Sequence, residues 1–86
     1  MPIISAFYGI QIRMFFNDHP PPHFHARYGD FEATVEISTA GVLEGRLPAR
    51  ALKLVQEWAM MNRVELEENW RLCRQNAAPE RIEPLA

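Results

Sequence analysis

The stretch HFHARYGDFEATVEI, residues 23–37, decides the fold because it predicts a β-hairpin with a fixed register. Apolar and polar residues alternate on both sides of Gly29-Asp30, and this period of two is typical of half-buried strands. Glycine adopts the positive φ that a two-residue hairpin turn requires, so Gly29-Asp30 is a good candidate for that turn. A turn of this length sets Tyr28 opposite Phe31.

This register sorts the side chains of the hairpin onto two faces. One face receives the apolar cross-strand pairs: Tyr28 with Phe31, Ala26 with Ala33, and Phe24 with Val35. The other face receives the polar pairs: Arg27 with Glu32, His25 with Thr34, and His23 with Glu36. A slip of one residue would expose the apolar set, so pattern and turn favour the same register. We therefore expect His23 and His25 to lie side by side on a face that meets solvent.

Further strands flank the hairpin. Residues 10–16, IQIRMFF, alternate in the same way, and the apolar run before them ends at Gly9, which predicts a tight turn between two strands. Residues 42–44, which lie between two glycines, predict a short edge strand. The sheet is therefore expected to be antiparallel, with four or five strands joined as hairpins.

The second half of the chain predicts two helices. Apolar residues recur there at the spacing of one helix face: Ala51, Leu52, Val55, Trp58 and Ala59. Pro48 suits the first turn. One helix from Pro48 to Asn76 would span about 44 Å, more than the width of a domain of this size. Asn62 predicts a break, because together with Glu65 it forms an N-x-x-E capping box.

The predicted architecture is an α+β domain, with the antiparallel sheet covered on one face by two C-terminal helices. We expect one domain over residues 1–76, followed by a C-terminal tail, residues 77–86, that is loosely ordered. The helices bury the apolar face of the sheet, which leaves the polar face free for a functional site.

Composition limits the classes of function. The net charge is -2 and neither half of the chain is strongly basic, which argues against general electrostatic binding to nucleic acid or to an anionic membrane. Cys73 is the only cysteine, so an internal disulfide and a zinc site of several thiolates are excluded. The sequence shows neither a signal-peptide pattern nor a stretch of about 18 apolar residues for a membrane span. We therefore expect a cytoplasmic protein with no membrane association.

Three histidines surround a run of prolines just before the hairpin, and they are the candidate site residues. His23 and His25 are two apart on a strand, so their side chains point the same way and could ligate one ion. The proline loop could bring His19 over the same face, and Asp18 or Glu36 could add a carboxylate. Such a set suits a divalent transition metal, Zn²⁺, Ni²⁺, Fe²⁺ or Cu²⁺, which could activate a water.

Two other interpretations of the histidines stay open. The prolines could form a rigid connector, with His23 paired to Glu36 and His25 to Thr34 as ordinary cross-strand contacts. Alternatively, His23 and His25 could be catalytic groups that work without a metal. No spacing in this segment is diagnostic in the way that two C-x-x-C pairs would be.

Nearly the whole chain resembles a small bacterial family of domains of unknown function. The residues that carry the resemblance are FNDHPPPHFHA at 16–26, LEGRLP at 43–48 and ENW at 68–70. The family signature is F-N-D-H-x-P-P-H-F-H-A, followed by a glycine turn. Genes of this family often lie beside one for another small domain, so the resemblance implies a two-component module of the toxin–antitoxin kind.

Three functions therefore remain as hypotheses. The first is a protein-binding module that works with a partner encoded nearby, through an exposed sheet edge or the polar face. The second is a histidine-dependent or metal-dependent enzyme acting on nucleic acid, and the third is a metal-binding protein without catalysis. A homodimer through the edge strand stays open as well.

Overall fold

The structure, a computed structural model, describes residues 2–86 as an antiparallel sheet with two helices packed on one face. The elements are β1 (Ile3–Phe7), β2 (Ile10–Arg13), β3 (His23–Tyr28), β4 (Phe31–Glu36), β5 (Val42–Arg46), α1 (Ala49–Met61) and α2 (Arg63–Arg74). The strands pair in chain order, β1-β2-β3-β4-β5. The predicted α+β class is confirmed, and the sheet has five strands. Neither helix within residues 2–86 has the length and apolarity needed to cross a membrane.

Strands β3 and β4 form the predicted hairpin with the predicted register. The pairs are His23 with Glu36, Phe24 with Val35, His25 with Thr34, Ala26 with Ala33, Arg27 with Glu32, and Tyr28 with Phe31. Gly29 at the turn has φ +60°, a conformation that glycine adopts without a steric penalty. On one face Phe24, Ala26, Ala33 and Val35 are buried, while Phe31 is half-buried and Tyr28, beside the turn, is exposed. The hydrophobic pattern and the turn together specify this register.

The core lies between the apolar face of the sheet and the helices. Trp58 of α1 is fully buried, with its ring centroid 5.8 Å from that of Phe24 and 5.4 Å from that of Phe7. Leu66 and Cys73 attach α2 to the same core. Burial raises the pKa of the Cys73 thiol, as expected for a structural cysteine rather than a nucleophile.

The break between the helices falls at Asn62, as predicted, but the predicted capping box is wrong. The Asn62 side chain makes no cap hydrogen bond to α2. Its Nδ2 donates instead to the carbonyl of Trp58, 2.8 Å away, which satisfies one of the free carbonyls at the end of α1. Asn62 therefore ends the first helix, and Glu65 contributes only a negative charge in the first turn of the second.

The C-terminal tail, residues 77–86, contains no helix or strand, and hydrogen bonds and one buried side chain attach it to the core. The Ile82 N–H donates to a carbonyl of β1 over 2.7 Å, and the Ile82 side chain is buried. The Trp58 indole N–H donates to the Glu83 carbonyl, and the Asn69 side chain exchanges two hydrogen bonds with the backbone of Glu80. Buried polar groups need such partners, and the tail supplies them.

The two edge strands of the sheet, β1 and β5, differ in how far they are covered by the rest of the chain. The tail lies against β1, whereas every residue of β5 is exposed. Strand β5 carries a register irregularity opposite Thr34 and Val35, and Gly45 within it has φ +76°. A Cβ on Gly45 would lie 2.1 Å from the Glu32 carbonyl oxygen, so only glycine fits where β5 approaches β4.

Replacing Gly45 by alanine should destabilise the fold more than the same change at Gly29. Both positions have positive φ, which costs an L-residue about 1 kcal/mol. At Gly29 the added Cβ meets open space, whereas at Gly45 it meets backbone, which should add about 2 kcal/mol. Urea unfolding of Gly45→Ala and Gly29→Ala measures the difference. Equal losses of unfolding free energy would contradict the close approach of β5 to β4.

Candidate functional site

The loop of residues 14–22 joins β2 to β3 and folds over the polar face where β3 begins. Two contacts fix it to the end of α2: the Asn17 N–H donates to the Cys73 carbonyl, and the Arg74 guanidinium donates to the Asp18 carbonyl, each over 3.1 Å. Asp18 Oδ1 accepts the backbone N–H of His19 at 2.9 Å. This local turn, which is typical of aspartate, leaves Oδ2 free to face β3.

Asp18, His23 and His25 converge in an imidazole–carboxylate cluster. Asp18 Oδ2 lies 2.8 Å from His23 Nε2 and 3.3 Å from His25 Nε2. One ligand atom from each residue lies within 4.8 Å of the other two, and no second such group of His, Cys, Asp or Glu occurs within residues 2–86. The hairpin supplies the two imidazoles from one face of β3, and the loop supplies the carboxylate.

The outer nitrogens of both rings face acceptors. His23 Nδ1 lies 2.7 Å from the Pro21 carbonyl, which can only accept, so Nδ1 carries the proton of this hydrogen bond. His25 Nδ1 faces Thr34 Oγ1 at 3.5 Å and a Glu32 carboxylate oxygen at 3.9 Å. On the opposite side of each ring, Nε2 faces Asp18. Metal-binding histidines commonly have this arrangement, with one nitrogen on the ion and the other on a carbonyl or carboxylate.

Aromatic contacts hold the rings in place. Phe15 stacks on His25 with a centroid separation of 4.2 Å, and Trp70 of α2 lies 5.1 Å from the ring of His23. Sequence reasoning missed both contacts. No periodic pattern links a residue of α2 to one at the start of β3.

The expectation that both imidazoles meet solvent is wrong for His23. The two rings lie on the polar face as predicted, but His23 is only 3% exposed and His25 is half-buried. The loop and Trp70 cover the start of β3, so the site opens to solvent on the side of His25. The predicted register stands, because burial of His23 comes from the loop and not from a slip of the strand.

His19 and Glu36 lie outside the cluster. The ring of His19 is exposed, with its centroid 5.8 Å from that of His23, and its Nδ1 faces the Pro20 carbonyl at 3.4 Å. The Glu36 carboxylate accepts a hydrogen bond from Thr39, so the cross-strand contact between His23 and Glu36 is one of backbone register alone. Of the two carboxylates that the sequence predicts as ligands, Asp18 contacts the two histidines and Glu36 does not.

The cluster opens into a cleft of about 280 Å³ on the polar face. The residues that line it are Asp18, His19, Pro21, His23, His25, Thr34, Leu43 and Glu44. A larger cleft, of about 530 Å³, lies beside Tyr8 and Arg50 on the helix side and includes none of the clustered residues. The smaller cleft is the better candidate because polar groups with metal-binding capacity converge there.

Asp18 is held in its ionised form. Burial raises the pKa of Asp18, but hydrogen bonds from His25, from His23 and from the His19 N–H together outweigh it, so the pKa lies below its ordinary value of 3.8. A carboxylate flanked by two imidazole nitrogens is a ligand set for zinc, iron, nickel or copper. Around a tetrahedral ion such ligand atoms would be about 3.4 Å apart. The 3.3 Å separation of Asp18 from His25 already fits, whereas the 2.8 Å hydrogen bond between Asp18 and His23 would have to lengthen.

Fold and cluster together define a small α+β domain with a cluster of two histidines and one carboxylate on its sheet face. The chain belongs to the family described as Domain of unknown function (DUF4160), whose model matches residues 9–71. The match spans the loop, the hairpin and most of α2, and it confirms the resemblance found in the sequence. No curated protein and no solved structure matches the chain.

Replacing Asp18 by asparagine should destabilise the protein near neutral pH and matter less in acid. The folded pKa of Asp18 lies below the unfolded value, so its stabilisation is present above about pH 4 and is lost as the pH falls through the folded pKa. Urea unfolding of the wild type and Asp18→Asn at pH 6 and pH 2.5, with a chelator present, measures this. A difference that stays constant or grows toward low pH would contradict the assignment.

Proposed function

We propose that the protein binds a divalent transition-metal ion with Asp18, His23 and His25, leaving one position open to the cleft. The observation that carries this proposal is the orientation of the two imidazoles. Each directs Nε2 at Asp18 and Nδ1 at an acceptor on the outside, so the ligand atoms are already turned toward a common point. Little rearrangement is then needed to receive an ion.

His19 is a fourth ligand in this proposal, and the position open to the cleft is then a fifth. Its exposed ring lines the same cleft, and its 3.4 Å contact with Pro20 is too long to hold it firmly. Rotation of the side chain would bring a third imidazole to the ion. Zn²⁺, Ni²⁺, Fe²⁺ and Cu²⁺ all accept imidazole and carboxylate ligands. We propose a cytoplasmic location for the protein.

Calorimetric titration of the metal-free protein with Zn²⁺ or Ni²⁺ should show one ion per chain. His23→Ala, His25→Ala and Asp18→Asn should each weaken binding by about 100-fold or more, since each removes a ligand. His19→Ala should weaken it less. The free energy of unfolding should rise with metal concentration, by about 2.7 kcal/mol when the free metal is at 100 times its dissociation constant. Thermal unfolding at increasing metal concentration measures this gain.

Glu36→Gln is the matched control for Asp18→Asn, because Glu36 lies opposite His23 and its carboxylate is engaged by Thr39. It should leave the metal affinity unchanged. Binding of Ni²⁺ or Cu²⁺ should also quench the fluorescence of Trp70, which lies against His23, and Trp70→Phe should remove that signal. Absence of binding at stoichiometric metal, or full affinity in His25→Ala, would contradict the proposal.

A second candidate function is a protein-binding module, and one surface favours it. Met60, Met61 and Val64, at the junction of the helices, are 59%, 70% and 76% exposed. Apolar residues clustered on a surface commonly mark an interaction site, and methionine adapts to different partners. The sheet edges are less suitable for pairing with another chain. The tail already lies on β1, and β5 carries a register irregularity and the charged side chains of Glu44 and Arg46.

The partner proposed is the small protein encoded beside this one, in a module of the toxin–antitoxin kind. Co-expression followed by size-exclusion chromatography with light scattering should yield a complex of the two chains. Met61→Lys with Val64→Lys should abolish it, whereas Lys53→Glu should not. No complex, or a complex unaffected by the double variant, would contradict this proposal; a dimer of this chain alone would identify self-association instead.

A further inference from the structure

We propose that the cluster is a hydrolytic site for uncharged acyl compounds, esters or amides, in which Glu44 accepts the proton of the attacking water. This inference rests on the metal site proposed above. It differs from the nucleic-acid hypothesis drawn from the sequence in the class of substrate. Two features of the cleft support this inference: its acidic walls and the position of the Glu44 carboxylate on β5.

The walls of the cleft are acidic. Asp18 and Glu44 line it, Glu32 lies just behind His25, and no lysine or arginine of residues 2–86 is among the lining residues. Arg74, on the loop side, donates to the Asp18 carbonyl and lies over the Trp70 ring instead. Arg13, which pairs with His25 across β2 and β3, donates to the side chain of Gln11. These three carboxylates outweigh the two positive charges of a divalent ion, so a phosphodiester would still meet repulsion in the cleft, whereas a neutral carbonyl group would not.

Glu44 is placed on the same face as the cluster by the β4–β5 pairing. It lies opposite Thr34, whose hydroxyl is 3.5 Å from His25 Nδ1. The register of β5 shifts immediately beyond this pair, and such irregularities often redirect a side chain toward a site. No ion pair engages Glu44 in the described part of the chain, so its carboxylate remains available as a base.

The proposed step is an ordinary hydrolysis in which atoms and charge balance. An ion held by Asp18, His23 and His25 would supply Lewis-acid chemistry that makes a water in the cleft more acidic. Glu44 takes one proton from that water, and the water oxygen forms a bond to the carbonyl carbon of the substrate. The bond from that carbon to the leaving oxygen or nitrogen then breaks. Glu44 returns the proton to the leaving group, so an acid and an alcohol or amine are released.

The test uses the full chain loaded with Co²⁺, whose visible absorption reports occupancy of the site. If no cobalt spectrum develops, the metal proposal fails before this one is reached. With the site loaded, 4-nitrophenyl acetate should be hydrolysed at least about tenfold faster than by the metal-free protein or by Co²⁺ alone. Bis(4-nitrophenyl) phosphate should not be cleaved above those blanks.

Glu44→Gln should lower the ester rate by about 100-fold while keeping the cobalt spectrum, since a general base contributes about that factor. Glu67→Gln, an equal change of charge on the exposed side of α2, should leave the rate unchanged. Acetohydroxamate should alter the cobalt spectrum of the wild type at lower concentration than inorganic phosphate, and Glu44→Gln should reduce that preference about tenfold.

Three results would overturn the inference. The first is faster cleavage of the phosphodiester than of the ester. The second is cleavage of neither compound by protein that shows the full cobalt spectrum. The third is a Glu44→Gln variant that matches the wild type in rate and in ligand preference.

Discussion

The two-residue turn at Gly29-Asp30 is the constraint on which the rest of the structure depends. It sets the register of β3 against β4, and that register sends the apolar set to the helices and both histidines to the other face. A slip by one residue would bury the imidazoles in the core and expose Phe24 and Val35. Fold and site therefore have a common origin, since the hydrophobic pattern that drives burial also brings two imidazoles side by side.

The Asp18 carboxylate converts this pair of imidazoles into a site. Asp18 is held by the end of α2, through Arg74 and through the loop contact with Cys73, so packing of the second helix and geometry of the cluster are coupled. Asp18 Oδ2 faces both Nε2 atoms. It can accept a hydrogen bond from a protonated ring nitrogen, or it can bind a metal ion together with the two rings. The outer contacts of Nδ1 involve neither Asp18 nor a metal position, so they hold both rings independently of what the Nε2 atoms face.

Local patterns could be predicted from the sequence, and contacts between distant segments could not. The hairpin, the edge strand and the break at Asn62 each follow from a short motif or a period of residues. Burial of His23 under Trp70 and attachment of the tail depend on packing between segments far apart in the chain. Asp18 reaches the histidines from a nearby loop, but the position of that loop depends on its contact with the end of α2. Such contacts carry no periodic signal. The capping box failed for a related reason, because the Asn62 side chain had a competing acceptor in the preceding helix.

The central proposal is that one face of β3 presents two Nε2 atoms which, together with Asp18, bind a metal ion. Imidazole ¹⁵N spectra of the Zn²⁺-loaded protein test it most directly. The account predicts that His23 and His25 each show a metal-bound Nε2 together with a protonated Nδ1. Zinc bound through Nδ1 of either ring, or a His23 resonance unchanged by stoichiometric zinc, would contradict it.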